Sequence, residues 1–531
     1  MSEIQRLDIS PVGRVEGDLD VRVDIKDGLV VDAWTTAELF RGLEVILRDK
    51  DPQAGLIVTP RACGICGASH LTCAAWALDT AWQTSVPRNA ILARNLGQIA
   101  ESLQSFVRHH YGLFQIDFTN EKYRKNPFYA EAVDRWAVYR GRHYEKGIAI
   151  SGRPVEIYAL FGGQWPHSSY MVPGGVMCAP TLTDVTRARA ILEYFRREWL
   201  EPIWLGCSLE RYGEIRSYDD FMAWLDESPA HAQSDLGLYW RMGSDIGLAA
   251  YGKGLERYMS WGYLPHEDLY QQPSIGGRNA AMRMQNGIYD FQRDEHSAMF
   301  ESAVREDTNR SWYDEGEQSV HPFSRDTRPA YHNEVDHEHK YSWSTAVLHS
   351  EMGRLETGGL ARNLVASKRG ADFQVHDPLI RDMMKSLGGA SVLLRHFARM
   401  HDLVKLYNQA QYCLQAFRLD EPWYIKPVEK DGRGFGATEA ARGALAHWIE
   451  VKNGRIHNYQ MVAPTTWNLG PRDGDGVRGP MEHALIGTPI ANPQDPVEVG
   501  HVARSFDSCM VCTVHAHDAN TGAELARFQV T

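Results

Sequence analysis

The stretch that decides the fold is TPRACGICGASHLTCAAWALDTAW, residues 59–82. Cys63 and Cys66 form a C-x-x-C pair, whose short turn lets both sulfurs reach one metal ion. Apolar residues then recur at helical spacing, so we predict a helix capped by Ser69. Its apolar positions are Leu71, Ala74, Ala75, Leu78 and Trp82. The pair therefore lies just before a helix N-terminus, where the helix dipole favours the metal-binding thiolate.

A second C-x-x-C pair, Cys509 and Cys512, lies more than 400 residues later in DSCMVCTVH, residues 507–515. The two pairs offer four thiolates, and soft sulfur ligands select zinc, copper(I), iron or nickel over hard cations. Two pairs close in sequence would indicate a structural zinc site. Pairs this distant favour an active centre in a large scaffold, because closing so long a loop costs chain entropy. A histidine follows each pair, His70 and His515, as a candidate ligand or hydrogen-bonding partner.

The composition is that of a globular protein without a membrane span or a nucleic-acid surface. The chain has 531 residues, of which 23% are charged, and its mean hydropathy is −0.40. No stretch approaches the roughly 18 to 20 apolar residues that cross a bilayer. Lys and Arg number 56 against 68 Asp and Glu, a net charge of −12 with no basic block. Nucleic acid as the main partner is therefore excluded, and any membrane contact is indirect, through partner chains.

The cysteine count and the N-terminus indicate the compartment. Eight cysteines are too few for a disulfide scaffold and indicate a reducing environment. The opening MSEIQRLDIS lacks the basic and apolar segments of a secretory signal. We expect a cytoplasmic protein, with export on a partner chain as the open alternative.

Hydrophobic periodicity predicts a mainly α protein with smaller β elements, an α+β fold around a central bundle of long helices. Residues 19–25 alternate apolar and polar side chains before a turn at Asp27 and Gly28, which predicts a hairpin. Three amphipathic helices are predicted around residues 92–106, 185–199 and 393–407.

We expect residues 1–531 to form a single large domain with no independent linker-separated unit. Its expected parts are β elements in 1–60, a helical core in 61–264 and 346–420, an irregular insertion of loops and short strands in 265–345, and a C-terminal part in 421–515 that closes the metal site. GRGFG, residues 432–436, does not fit the dinucleotide fingerprint G-x-G-x-x-G, and we predict a flexible loop there.

RACGICGASH near the N-terminus and DSCMVCTVH near the C-terminus together resemble the two signature motifs of the nickel-iron hydrogenase large subunit. The resemblance extends over most of the chain. It includes RVEGD at 14–18, FRGLEVIL at 40–47, GGQWPHSSYMVPGGV at 162–176, EAARGAL at 439–445 and YQMVAPTTWNLGPRD at 459–473.

The resemblance implies a bimetallic centre that splits H2. Cys63 and Cys509 would be terminal thiolates on nickel, and Cys66 and Cys512 would bridge nickel to an iron that carries CO and cyanide ligands. An open metal position suits the heterolytic cleavage of H2, and a thiolate sulfur can serve as the first base.

Two further residues acquire roles in catalysis from the resemblance. Glu16 matches the carboxylate that passes protons toward solvent, and Arg442 matches the guanidinium that overhangs the metal pair. Without the resemblance, Glu16 reads as an exposed acid at a strand end and Arg442 as an ordinary surface residue. Whether the first proton goes to Cys509 or involves Arg442 stays open.

A magnesium site is also implied. Glu44 would bind Mg²⁺ together with His515 and a backbone carbonyl, that of Met461, although a histidine is an unusual ligand for this hard ion. Taken alone, Glu44 reads as an acid on a helix surface.

Other residues would line or tune the centre. His70 would hydrogen-bond a cysteine sulfur, and Pro464 and Thr465 would line the diatomic ligands on iron. The chain departs from the usual family pattern at several positions near these motifs. They are Asp18, Ser105, Ala441 and Ser508.

Residues 516–531 follow His515 and match a tail that most of the family loses on maturation. Without a third cysteine cluster, electrons must leave through iron-sulfur clusters on another chain. The resemblance implies a small subunit that carries those clusters, and an oligomer of such heterodimers. The motifs look most like the cytoplasmic uptake branch, which oxidises H2.

Two other functions stay open at this point. A hydrogen-sensing regulatory subunit shares the cysteines but usually lacks the removable tail. A zinc-stabilised interaction protein, from a different class, would use the thiolates for structure only. A quinone-binding relative shares the fold but lacks the cysteines, so the four thiolates argue against it.

Overall fold

Long helices form the centre of the molecule. The computed structural model describes residues 4–268, 281–314, 316, 319–331 and 335–509. Five helices dominate these residues, at positions that confirm the predicted bundle. They are α1 (Gly67–Ala81), α2 (Arg88–Arg108), α3 (Arg142–Gly162), α4 (Leu182–Phe195) and α5 (Val392–Ala416).

Two of the central helices, α1 and α2, are buried on all faces rather than on one. All 15 residues of α1 are buried, as are the residues of α2 from Asn89 to Val107. Our prediction of one-sided amphipathic helices is therefore wrong for α2, because neighbouring elements cover its polar side as well. One of these buried polar side chains, Arg94 of α2, pairs with Asp79 of α1 at 2.7 Å, and both side chains are fully buried.

Shorter helices surround this bundle, and two π-helical segments continue α2 and α4. The π-helical segments are His109–Phe114 and Arg196–Leu205. The shorter helices are Leu43–Leu47, Ala54–Val58, Tyr129–Trp136, Leu209–Tyr212, Tyr218–Glu227, Pro229–Ala232, Asp235–Asp245, Gly359–Ala366, Leu379–Ser386, Pro464–Leu469, Pro480–Leu485 and Val497–Ser505.

Three antiparallel three-stranded sheets pack around the helices. The first, β1 (Gln5–Ile9), β2 (Leu19–Lys26) and β3 (Leu29–Ala37), contains the predicted hairpin. The second comprises β4 (Arg257–Pro265), β5 (Met282–Asp290) and β6 (Glu295–Ser297). The third comprises β7 (Gly432–Ala440), β8 (Gly443–Lys452) and β9 (Arg455–Val462). Two-stranded pairs join Met171–Val172 to Gly175–Val176 and Val304–Asp307 to Ala346–His349.

Two segments that we predicted as helix or loop form strands instead. Residues 257–265 form β4, although we expected the helical segment to run to residue 264. All but the first residue of β4 are buried, so the period-2 alternation that marks a half-exposed strand is absent.

GRGFG, predicted as a flexible loop, begins β7 instead. Its glycines are explained by a neighbour that sequence alone does not reveal. A Cβ on Gly434 would lie 1.9 Å from the carbonyl oxygen of Ala77, and one on Gly436 would lie 2.0 Å from that of Cys73. The glycines therefore allow α1 to lie directly against the backbone of the strand.

One contiguous buried apolar cluster includes residues from Val12 to Phe506 and joins the bundle to all three of these sheets. Among the described residues, no helix combines the length and the apolar character needed to cross a bilayer.

Candidate metal centre

Three thiols from opposite ends of the chain meet inside the protein. Cys63, Cys66 and Cys509 are all buried, and their sulfur atoms lie within 4.8 Å of one another. The Sγ atoms of Cys63 and Cys509 are 3.3 Å apart. The structure thus brings together three of the four predicted thiolates, while Cys512 and His515 lie outside the described residues. Convergent, buried sulfur ligands fit a soft transition metal.

The first cysteine pair is held by the start of α1. Cys63 follows a 3₁₀ turn, Thr59–Ala62, with extended backbone, and Cys66 is the N-cap residue of the helix. The backbone N–H of Ile65 points to the Cys63 sulfur at 3.4 Å. The predicted position of the pair, just before a helix N-terminus, is confirmed.

The predicted cap is wrong, because α1 begins at Gly67 and Ser69 lies in its first turn. The N-terminal N–H groups are satisfied by Glu101 of α2, whose carboxylate accepts from the N–H of Ala68 at 2.7 Å and of Ser69 at 3.0 Å. The Ser69 hydroxyl donates to the same carboxylate at 2.9 Å. Burial raises the pKa of Glu101 to about 7, although these hydrogen bonds oppose the shift. In the sequence, Glu101 lies on the polar side of the predicted helix, opposite its apolar positions, so no local pattern marks its role.

The third cysteine is held by distant segments. The N–H of Glu16 donates to the carbonyl of Ser508 at 3.2 Å, within a parallel bridge between Glu16 and Cys509. The N–H of Cys509 donates to the hydroxyl of Thr465 at 3.1 Å. Just before Cys509, Asp507 has a φ of 54°, the left-handed region that turns the chain into the site.

An ion-pair cluster fixes the helix that precedes Cys509. Arg504, at the end of Val497–Ser505, meets Asp117 with an Nε–Oδ2 distance of 2.7 Å and donates to the carbonyl of Gly13 at 2.7 Å. Arg14 also pairs with Asp117. Burial alone would raise the pKa of Asp117, but Arg504 and Arg14 outweigh it and hold the pKa below its usual value. The cluster therefore ties the RVEGD segment to the last described helix.

Arg442 lies beside the thiols. Its side chain is 4% exposed, so the alternative of an ordinary surface arginine is wrong. Its Nη2 lies 3.1 Å from Oδ1 of Asp507. Burial acts to lower the pKa of Arg442, but Asp507 and the three thiols raise it well above its usual value. Within the described part of the chain, Nε and Nη1 of Arg442 have no hydrogen-bond partner, which fits an anionic group in the site.

Asp507 is the ion-pair partner of Arg442. The sequence marks it only as part of the DSCMVCTVH motif. Burial would raise its pKa, but Arg442, with His109 and Arg399 behind it, keeps the pKa below its usual value. Arg399 Nε lies 3.6 Å from Asp507 Oδ2. The carboxylate therefore stays charged and holds the Arg442 guanidinium in place.

A cavity of about 100 Å³ brings several predicted residues together on one side of the thiols. Its lining includes Glu44, His70, Met461, Thr465 and Cys509. Glu44 stands on the short helix Leu43–Leu47 and is half-buried rather than fully exposed. Pro464, also buried, is the first residue of the helix that carries Thr465.

The same cavity receives a residue that the sequence did not single out. Glu306, from the segment predicted as an irregular insertion, lines it and is buried. Arg325 and the hydroxyl of Thr345 each lie 2.9 Å from Oε1 of Glu306.

A second cavity, of about 180 Å³, lies on the side of Glu16. Glu16 and Arg442 line it together with Gln104, Ser105 and Arg108. Glu16 is half-buried, so it is not the fully exposed acid of the alternative interpretation. Burial lowers the pKa of Arg108, and the charge of Glu16 opposes that shift.

Comparison with known proteins agrees with this geometry. The family model of nickel-dependent hydrogenases matches residues 41–123 and 243–515. The periplasmic [NiFeSe] hydrogenase large subunit of Desulfomicrobium baculatum is 30% identical over 98% of this chain and 96% of its own length. The uptake hydrogenase large subunit of Bradyrhizobium diazoefficiens is 28% identical over 99% of this chain and 97% of its own length.

A solved structure gives the same result for the fold. The [NiFeSe] hydrogenase of Dm. baculatum superposes with a TM-score of 0.81 at 28% identity and covers 97% of this chain and 100% of its own. The chain therefore belongs to the nickel-dependent hydrogenase family, as a large subunit of an H2-oxidising enzyme.

Proposed function

We propose that this chain is the catalytic large subunit of an uptake hydrogenase whose nickel-iron centre is held by Cys63, Cys66, Cys509 and Cys512. The observation that carries the proposal is the 3.3 Å approach of two sulfurs separated by 446 residues. Cys63 and Cys509 would be terminal on nickel, and Cys66 and Cys512 would bridge to iron. Such a centre supplies an open, soft metal position at which H2 is polarised and split.

The protein around the thiols favours a negatively charged group. Arg442 contributes a buried cation whose Nε and Nη1 have no partner in the described chain. Asp507 fixes the guanidinium from one side, so its remaining N–H groups are available to the centre. CO and cyanide ligands on iron would be acceptors for such donors, with Pro464 and Thr465 lining their pocket.

The surrounding residues have different roles in substrate positioning and proton transfer. A guanidinium with a raised pKa keeps its proton, so Arg442 positions the substrate and the Cys509 sulfur acts as the first base. Glu16 lines the cavity that Arg442 also lines, and its backbone is bonded to the residue before Cys509. Glu16 then carries the proton from the thiolate toward solvent.

On the other side, Glu44 and the carbonyl of Met461 would hold Mg²⁺ together with His515. Support comes from the shared cavity that brings Glu44, Met461 and Cys509 together. Carboxylate and carbonyl oxygens are ligands that Mg²⁺ prefers.

The enzyme needs a partner that accepts electrons. We assign this role to a small subunit with iron-sulfur clusters, in an oligomer of heterodimers that contacts membranes only through partners. We place the complex in the cytoplasm, because eight cysteines in 531 residues fit a reducing compartment. We further assign residues 516–531 to a tail that is removed after His515.

Metal analysis, infrared spectroscopy and H2-dependent dye reduction on the purified complex test these assignments. We expect nickel and iron, the infrared bands of CO and cyanide, and H2 oxidation that Cys512→Ala abolishes. Mass spectrometry should find the chain ending at His515, whereas a hydrogen sensor would not have undergone this cleavage. Zinc without diatomic bands, or full H2 oxidation by Cys512→Ala, would overturn the proposal.

A further inference from the structure

The glycines of β7 bring α1 against the third sheet at one particular place. A Cβ at Gly436 would fall 2.0 Å from the carbonyl oxygen of Cys73, so any larger residue would push α1 away. Gly436 is paired directly with His447 of β8, and directly opposed residues share one face of a sheet. His447 therefore faces α1 at the point of closest approach.

This close approach lets three buried side chains form a continuous hydrogen-bond chain. Nδ1 of His70, on α1, lies 3.1 Å from Nε2 of His447, and Nδ1 of His447 lies 2.9 Å from the hydroxyl of Tyr459. All three side chains are buried at 2% exposure or less. His70 also lines the cavity that Cys509 lines, so the chain leads from the thiols into the sheet.

The donor at one end of these hydrogen bonds determines which ring nitrogens carry a hydrogen at the other end. A neutral imidazole carries one N–H and one acceptor nitrogen. The Tyr459 phenol keeps its proton at neutral pH, because the ordinary pKa of tyrosine is about 10. If the phenol donates to His447, then His447 donates to His70, and His70 keeps its remaining N–H, on Nε2, for the cavity.

Thr59 offers the phenol a competing acceptor. Its side chain lies within hydrogen-bonding range of the Tyr459 hydroxyl, while its own proton goes to the carbonyl of Gly55 at 2.9 Å. A phenol that donated to Thr59 would reverse every bond and leave a bare Nε2 on His70. The Cys509 thiolate, which lines the cavity, favours an N–H over a lone pair, and this selects donation by the phenol to His447.

We propose that His447 and Tyr459 are positioning residues, which hold His70 in the tautomer that presents an N–H to the metal centre. The inference rests on the proposed function, because the cavity acquires its thiolate charge from the metal-binding cysteines. Outer hydrogen bonds of this kind orient and tune metal ligands. GRGFG then has a role in the site, since its glycines let the two histidines meet.

Infrared spectroscopy of the nickel-loaded complex tests whether these hydrogen bonds act on the metal centre. A sulfur that loses an N–H donor gives more electron density to the metal, which weakens the C–O bond of a CO ligand. We expect the CO band to move to lower wavenumber in His447→Leu and Tyr459→Phe. His447→Gln, whose amide can still donate to His70, should stay closer to wild type. Thr59→Val should leave the band in place.

The matched control is Tyr212→Phe, which removes another buried tyrosine–histidine bond, from Tyr212 to His401 at 3.0 Å. It should leave the CO band unchanged. Unchanged bands in Tyr459→Phe and His447→Leu, with nickel and bands present in wild type, would overturn the inference alone. A wild-type complex without nickel or diatomic bands would overturn the proposed function as well. Should His447→Leu fail to fold, Tyr459→Phe decides, since it deletes one oxygen atom.

Discussion

The two cysteine regions are held in place by different kinds of contact. Cys63 and Cys66 are placed by a neighbouring helix, whose first turn is capped by a single carboxylate from α2. Cys509 is instead placed by segments outside its own neighbourhood in the sequence, through a bridge to Glu16, hundreds of residues away, and a hydrogen bond to Thr465, 44 residues away. One half of the centre is thus encoded locally and the other by the tertiary fold. Each region can be tested by removing what holds it.

The largest effect is expected from removing the sulfur that joins the regions. Cys509→Ala should eliminate bound nickel and lower H2 oxidation by more than about 100-fold, beyond the ~10–100-fold typical of outer-shell changes. Nickel content and dye reduction measure this. The control Cys413→Ala removes a buried thiol of α5 outside the cluster and should retain both. Nickel retained in Cys509→Ala would mean that the two regions work independently.

The next effect concerns the distant anchor of Cys509. Arg504→Leu leaves the buried carboxylate of Asp117 with Arg14 as its remaining arginine, and breaking a buried ion pair costs about 3–5 kcal/mol. Chemical denaturation should show this loss in the free energy of unfolding, accompanied by lower nickel occupancy. The exposed pair of Arg142 and Asp134 supplies a comparison, because Arg142→Leu should cost less than about 1 kcal/mol. Equal losses would show that the cluster does not anchor the chain.

The cap of α1 should give a pH-dependent effect. Burial raises the pKa of Glu101 to about 7 from 4.5, so the folded state binds a proton that the unfolded state has already released. Stability from this group is therefore present below about pH 4.5 and is lost as pH rises toward 7. Glu101→Gln, which cannot titrate, should remove that slope from unfolding curves taken between pH 4.5 and 7. An unchanged slope would place the titration elsewhere.

The smallest effect is expected at the single hydrogen bond on Cys509. Thr465→Val deletes the acceptor of the Cys509 N–H and should cost about 1 kcal/mol. Thr465→Ser keeps the hydroxyl and should restore most of that loss in the same denaturation measurement. If valine and serine behave alike, the hydroxyl contributes nothing to holding Cys509.

The same contrast explains what could be predicted. Helix α1, the placement of the first pair before it and the β2–β3 hairpin follow from local spacing, which the sequence displays directly. Family motifs pointed to Glu16 and Arg442, and the structure places both around one cavity. Their roles in catalysis remain proposals.

What could not be predicted depends on distant neighbours. Glu101 caps a helix from another helix, and Ser69 consequently does not. Gly434 and Gly436 look like loop residues until α1 is placed against them. The bond between His70 and His447 spans 377 residues, so no local pattern could reveal it.

The parallel bridge between Glu16 and Cys509 has a consequence for biosynthesis. On the ribosome, Glu16 and the first cysteine pair emerge long before Cys509, and contacts this distant in sequence form late. A nascent chain would therefore carry a half-built pocket through most of translation. Metal can therefore meet its full set of thiol ligands only after the segment that carries Cys509 has been synthesised.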